Sequence, residues 1–79
     1  MSDDAETEQC MRALEAARAV WDWTKGNKYR AITGPHWNYC NFEMWIKAEP
    51  GHALGAEWVV NHEDPAACYV MAAIRLGLL

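Results

Sequence analysis

The spacing of apolar residues changes twice along this chain, and the change sets the order of its secondary structure. Near the start, apolar residues recur at three- and four-residue steps, the period of an amphipathic helix: Cys10, Ala13, Leu14, Ala17, Val20 and Trp21. In residues 42–48 apolar and polar residues alternate, which is the period of a half-buried strand. Helical spacing then returns at Ala67, Val70, Met71, Ile74 and Leu78. The pattern predicts a helix, then strands, then a second helix.

The ends of both helices carry recognisable signals. The first helix is predicted over about residues 4–24, because Asp3 and Glu6 have the spacing of a capping arrangement and Gly26 offers a left-handed stop. The second begins at Asp64-Pro65, a cap followed by proline at the first helical position, and Gly77 offers its stop.

Two further segments, residues 29–33 and 56–60, are predicted as strands beside residues 42–48. The first ends at Gly34-Pro35, and residues 36–41 fit either a loop or an extension of the middle strand. The expected fold class is α+β, with an N-terminal helix, a three-stranded antiparallel sheet and a C-terminal helix. We expect residues 1–79 to form one compact domain.

A chain of 79 residues has a small core, so its core side chains must be large. Five tryptophans meet that need, since each aromatic can bury roughly 150–250 Å². The residues predicted to be nearly inaccessible lie on the apolar side of each element: Leu14, Met44, Trp58, Val70 and Ile74.

Trp45 is the expected exception. If both helices cover one face of the sheet, Trp45 stands on the other face between Glu43 and Lys47, near Glu57 and Val59. A large aromatic on a polar strand face is typical of an interface anchor. The alternative is that Trp45 packs beneath residues 36–41.

The charge is negative and unevenly placed. Eleven acidic and seven basic residues give a net charge of −4, and residues 1–10 hold four acids without a base. An acidic surface disfavours direct binding of nucleic acid and attracts a basic protein surface, although such charges also serve ordinary solubility. The residues predicted to bind a partner are therefore the acids and one aromatic: Asp3, Asp4, Glu6, Glu8, Glu43, Trp45, Glu49, Glu57, Glu63 and Asp64.

The cysteines and histidines predict neither a metal site nor a catalytic site. Cys10, Cys40 and Cys68 are widely spaced with no C-x-x-C pair, which favours a reducing cytosol over a disulfide scaffold. His36 with Cys40, and His62 with Cys68, mix ligand types where zinc sites use close like pairs. We expect no cofactor, no metal and no enzymatic activity, and we keep a small His/Cys metal-binding regulatory module as an alternative.

The first 30 residues lack a basic start followed by an apolar run, and no stretch approaches the roughly 18 apolar residues of a membrane span. We therefore expect a cytoplasmic protein that neither enters a membrane nor carries a signal peptide.

Residues 57–79 carry a general resemblance to one class of small proteins. They combine a Trp-bearing strand, an acidic turn, a proline-started helix and an R-x-G ending. In this combination of features, the chain resembles the small acidic accessory proteins of phages, which include the anti-CRISPR inhibitors. Because those inhibitors share no common motif, no functional residue is carried over.

The resemblance implies a non-enzymatic inhibitor, encoded by a phage or mobile element and acting in the bacterial host cytoplasm. It would occupy the basic nucleic-acid-binding surface of a host protein, such as a CRISPR effector complex. The remaining alternative is a homodimeric accessory protein that pairs through its exposed sheet face or an edge strand.

Overall fold

A computed structural model describes residues 2–79, with side chains from Asp4 onward, and shows two helices and one sheet. The elements in chain order are α1 (Ser2–Lys25), β1 (Ala31–Asn38), β2 (Asn41–Lys47), β3 (Glu57–His62) and α2 (Pro65–Arg75). The sheet is antiparallel with strand order β1-β2-β3. The predicted α+β fold is confirmed. The predicted roles of Asp3 in capping and binding lie outside the described side chains.

Side chains cap the end of α1. The prediction of a left-handed stop at Gly26 is wrong, because the backbone there does not adopt a positive φ. Instead the Arg30 guanidinium donates to the Trp23 carbonyl at 3.1 Å, and the Thr24 hydroxyl donates to the Trp21 carbonyl at 2.6 Å. The Trp23 carbonyl belongs to the last turn and has no partner within the helix, so the bond from Arg30 satisfies it.

The buried side of α1 is rotated away from the predicted stripe. Ala16 and Val20 are fully buried, whereas Leu14 is 67% exposed, so its predicted place in the core is wrong. The physical reason is that α1 packs chiefly against α2 and touches the sheet mainly at β1. Alanines on both helices, including Ala72 of α2, fill that contact.

The first strand runs through the predicted turn. The expectation that it covers residues 29–33 and ends at Gly34-Pro35 is wrong. The expectation of a loop or a middle-strand extension over residues 36–41 is wrong for residues 36–38, which belong to β1, whereas residues 39–40 do form a loop and Asn41 does extend β2. β1 continues to Asn38 with a bulge between Thr33 and His36, and a two-residue turn, 39–40, leads into β2. Bulges admit residues that would otherwise stop a strand.

Gly34 is required at this bulge. It has φ 98°, and a Cβ built there would lie 2.6 Å from the Glu43 carbonyl oxygen. No other residue type fits without moving the neighbouring strand.

Both ends of α2 follow the predicted signals. Asp64 accepts a hydrogen bond from the Ala66 amide at 3.0 Å, and Pro65 follows it. At the other end Gly77 has φ 74°, and the Leu78 amide donates to the Ala73 carbonyl at 2.9 Å. This is the six-to-one hydrogen bond of a Schellman cap.

The core lies between the helices and one face of the sheet. The fully buried residues of this cluster come from α1, β2, β3 and α2: Ala16, Val20, Met44, Ile46, Val60, Cys68, Ala72 and Ala73. Burial of Met44 confirms its prediction. Because only the inner faces of β2 and β3 contribute, both helices cover the same side of the sheet.

Three other core predictions are corrected. Ile74 is 50% exposed, because α2 turns Cys68, Ala72 and Ala73 inward instead. Val70 and Trp58 are half-buried and pack against the cluster from its edge. Among the described side chains, Trp58 Nε1 is buried without a hydrogen-bond partner.

Neither helix, over the residues described, has the length and apolar character needed to cross a membrane.

Candidate functional site

The side of the sheet opposite the helices forms a continuous surface, here called the outer face. In an antiparallel sheet, residues paired across strands point to the same side. Three cross-strand rows build the outer face: Ala31, Lys47 and Glu57; Thr33, Trp45 and Val59; and His36, Glu43 and Asn61. The alternation of β2 and its pairing with β3 thus place three predicted site residues on one face: Glu43, Trp45 and Glu57.

Trp45 occupies the middle of the outer face. Its neighbours in the same row are Thr33 and Val59, and the ring is 40% exposed. Residues 36–38 continue β1 beside β2, so they form no loop that could cover the ring. The indole therefore lies on a platform of β-branched side chains with much of its surface open to solvent.

Charged groups surround Trp45 along β2 and β3. Glu43 Oε2 accepts a hydrogen bond from Asn38 Nδ2 at 2.6 Å, which fixes the carboxylate near the hairpin end. Lys47 and Glu57 are in register and both exposed at the opposite end. Two carboxylates against one ammonium leave the outer face with one excess negative charge.

Glu49 is held by an internal ion pair. Arg30 Nε and one terminal nitrogen donate to the two Glu49 carboxylate oxygens, each at 2.9 Å. The hydrogen bonds from Arg30 lower the pKa of Glu49 to about 2. Arg30 also stacks over the Trp23 ring, 4.7 Å from its centroid. Because its charge is already neutralised, we remove Glu49 from the candidate site.

The other predicted acids lie on the helix side of the molecule. Glu6 of α1 and Asp64 line an open groove of about 560 Å³ between residues 6–13 of α1 and the first half of α2. Asp4, Glu8 and Glu63 are exposed on α1 and on the turn before α2. The predicted set is therefore divided between two regions, and only Glu43, Trp45 and Glu57 share the outer face.

The histidines and cysteines of the proposed metal module are dispersed. Within the described residues, no three His, Cys, Asp or Glu side chains are arranged to hold a metal ion. The Asp64 amide donates to His62 Nδ1 at 2.9 Å, and the buried Cys68 thiol donates to the Phe42 carbonyl at 3.7 Å. Burial raises the pKa of that thiol. The metal-binding alternative has no geometric support in this part of the chain.

Sequence reasoning missed two groups of exposed apolar side chains. Trp37 and Tyr39 are exposed at the β1–β2 hairpin, where the Trp37 ring meets Phe42 edge-on at 5.2 Å. Met11, Leu14 and Trp21 are exposed on α1. Of the second group, Leu14 and Trp21 lie on the apolar stripe that the sequence predicts to face the core, and Met11 lies beside that stripe.

Comparison with protein-family models, with curated proteins and with solved structures finds no match to this chain. Any function assigned to it therefore rests on its own surfaces.

Proposed function

We propose that this chain is a non-enzymatic protein that binds another protein through its outer face, with Trp45 as the anchor. The supporting observation is the partly exposed indole at the centre of a polar sheet face that no other described element covers. Tryptophan is enriched among the few interface residues that dominate binding energy, because it buries a large rigid surface.

The surroundings of Trp45 match the anatomy of an interface. Thr33 and Val59 flank the ring, while Glu43, Lys47 and Glu57 lie further out along the strands. Protein interfaces typically combine a buried apolar centre with a polar rim that stays partly hydrated. On docking, the ring would enter an apolar site of the partner while the charges orient the two proteins.

The charge of the chain favours a partner with a basic surface. Its net charge is −4, and the outer face itself carries one excess negative charge. Complementary charge accelerates encounter and suppresses binding of acidic competitors. Basic surfaces are commonest on nucleic-acid-binding proteins. The specific form of the proposal is a phage or mobile-element inhibitor that occupies such a surface on a host protein, for example a CRISPR effector subunit.

The first experiment measures partner affinity with matched variants. A partner captured from a bacterial host by the wild-type chain is purified and titrated with the wild type, Trp45→Ala and Ile74→Ala. Trp45→Ala should weaken binding by at least about 2 kcal/mol, roughly 30-fold in Kd. Ile74→Ala is the control, because it truncates an exposed apolar side chain on the helix side. Equal affinity of both variants and the wild type would rule out Trp45 as anchor.

The second experiment separates the two acidic regions. The double charge reversal Glu43→Lys with Glu57→Lys on the outer face should abolish partner binding. The double reversal Glu6→Lys with Glu63→Lys makes the same charge change on the helix side and should leave most of the binding affinity. Wild-type affinity should fall as ionic strength rises past about 0.15 M, where the Debye length is about 8 Å. Salt-independent binding that tolerates both double reversals would contradict a basic partner surface.

The inhibitor form has its own test. Expression of the chain in bacteria with an active CRISPR system should restore plating of a targeted phage, and Trp45→Ala should not. Nucleic acid bound to the purified partner should be displaced by the wild-type chain. Stable binding without displacement would keep the protein-binding function and reject inhibition by occupancy.

A further inference from the structure

A stripe of exposed apolar side chains runs along α1 and is covered by no other described element. Met11 is 57% exposed, Leu14 is 67% exposed and Trp21 is 44% exposed. At 3.6 residues per turn, these three positions fall within about 80° of one another around the helix. We call this set the α1 stripe. It lies on a different side of the helix from Ala16 and Val20, the residues that α1 buries completely.

The first half of α1 makes little use of the core. Every described residue from Asp4 to Arg12 is exposed, although α1 is 24 residues long. A helical segment that buries few of its side chains is marginally stable in water, since most helix stability in proteins comes from packing. Both the stripe and this first half would gain from a partner surface.

The charges along α1 favour a second α1 as that partner. The helix begins with acidic side chains, Asp4, Glu6 and Glu8, whereas residues 18–25 carry Arg18 and Lys25 against Asp22 and so have a net positive charge. An antiparallel copy places each acidic start beside the other's basic end. A parallel copy would instead bring like charges together.

We propose that the α1 stripe is a homodimer interface in which α1 pairs antiparallel with α1 of a second copy. Thr7, Leu14 and Trp21 are seven residues apart, so they fall on one side of the helix, where they can face a second helix that crosses at a small angle. A two-fold axis at Leu14 makes the interface self-complementary. Leu14 then meets its equivalent, and Trp21 crosses the helix of the second copy at Thr7.

The same register pairs charges at the rim. Positions that flank the seven-residue repeat face each other in such a pair, which brings Asp4 opposite Lys25 of the second copy. Lys25 now contacts Asp22 at 3.3 Å, and both side chains are largely exposed. An exposed pair of this kind contributes little, so Lys25 is free to exchange partners.

The first test is the mass of the protein in solution under reducing conditions. Sedimentation equilibrium should give twice the 9.0 kDa chain mass for the wild type. Leu14→Asp places two like charges together at the axis and should weaken the dimer at least about 100-fold. Ile74→Asp, a matched change at a half-exposed site on α2, should leave the dimer unchanged. A monomeric wild type, or a dimer that persists in Leu14→Asp, would overturn the proposal.

A charge exchange tests the antiparallel orientation without touching the apolar stripe. One variant carries Asp4→Lys and Glu8→Lys, and the other carries Arg18→Glu and Lys25→Glu. Each alone has like charges at both ends of the interface and should be monomeric at concentrations where the wild type is dimeric. An equimolar mixture should form heterodimers, because every end contact becomes attractive. Wild-type-like homodimers of either variant would reject this orientation, and circular dichroism would verify that both variants keep their helices.

Discussion

At the scale of single residues, Arg30 joins three separate parts of the chain. It donates to the Trp23 carbonyl at the end of α1, stands just before β1, and pairs with Glu49 beyond β2. Two parallel hydrogen bonds to one carboxylate are stronger and more directional than a single contact. The sequence alone could not predict this pair, because 19 residues separate its members and the hairpin decides whether they meet.

The pair makes stability depend on pH in a defined direction. The pKa of Glu49 is lowered from 4.5 to about 2 in the folded chain, so folding favours its charged form. Its contribution is therefore present above about pH 4.5 and is lost as the pH falls towards 2. Glu49→Gln should lower the melting temperature at neutral pH, and its difference from the wild type should vanish over that acidic range.

Thermal melting from about pH 7 to pH 2 measures this effect. Glu57→Gln is the control, because Glu57 is exposed on the outer face and should give a small difference at every pH. A Glu49→Gln difference that stays constant down to pH 2 would contradict stabilisation by the ionised pair.

At the scale of elements, the sequence predicted what local chemistry decides. The alternation of residues 42–48 places Trp45 on one side of β2 and Met44 on the other, and Asp64-Pro65 places the start of α2. The orientation of α1 could not be found this way, because large apolar residues suggested one side and the close helix–helix contact uses alanines. The predicted first strand is too short because Gly34-Pro35 usually ends a strand. In the structure a bulge at this point lets β1 continue past both residues.

The β1–β2 hairpin provides a test of that bulge. Gly34→Ala should destabilise the protein more than Gly51→Ala, although both glycines have positive φ, 98° and 87°. A Cβ at Gly51 meets open space, so alanine there carries only the left-handed backbone cost of roughly 1–2 kcal/mol. A Cβ at Gly34 would also press on the Glu43 carbonyl of β2.

Chemical denaturation of the two variants gives the comparison directly. The free energy of unfolding should fall further for Gly34→Ala, with an unchanged denaturant slope if both remain two-state. Equal losses would show that β1 and β2 separate easily at the bulge and that the close approach costs nothing.

At the scale of the whole molecule, two different surfaces lie on different layers. The outer face belongs to the sheet and carries Trp45, whereas the α1 stripe belongs to the helix layer. The first was predictable because strand alternation exposes one side chain in two. The second was not, because a helix with apolar residues on several sides does not reveal which of them its neighbours will cover.

If both proposals hold, the dimer presents two outer faces and can bind two partner molecules at once. On a sensor surface coated densely with partner, the wild type should dissociate at least about tenfold more slowly than Leu14→Asp, since linked sites rebind before both release. On a sparse surface the two proteins should dissociate at the same rate, because each molecule then engages one partner. Trp45→Ala should dissociate faster at either density.

Dissociation rates measured at several partner densities distinguish the role of the outer face from that of the α1 stripe. A Leu14→Asp variant that loses affinity even on a sparse surface would place the α1 stripe in the partner contact itself. A wild type whose dissociation does not depend on density, although it is dimeric in solution, would mean that the two outer faces cannot reach neighbouring partners. In that case the dimer would order the first half of α1 without making binding bivalent.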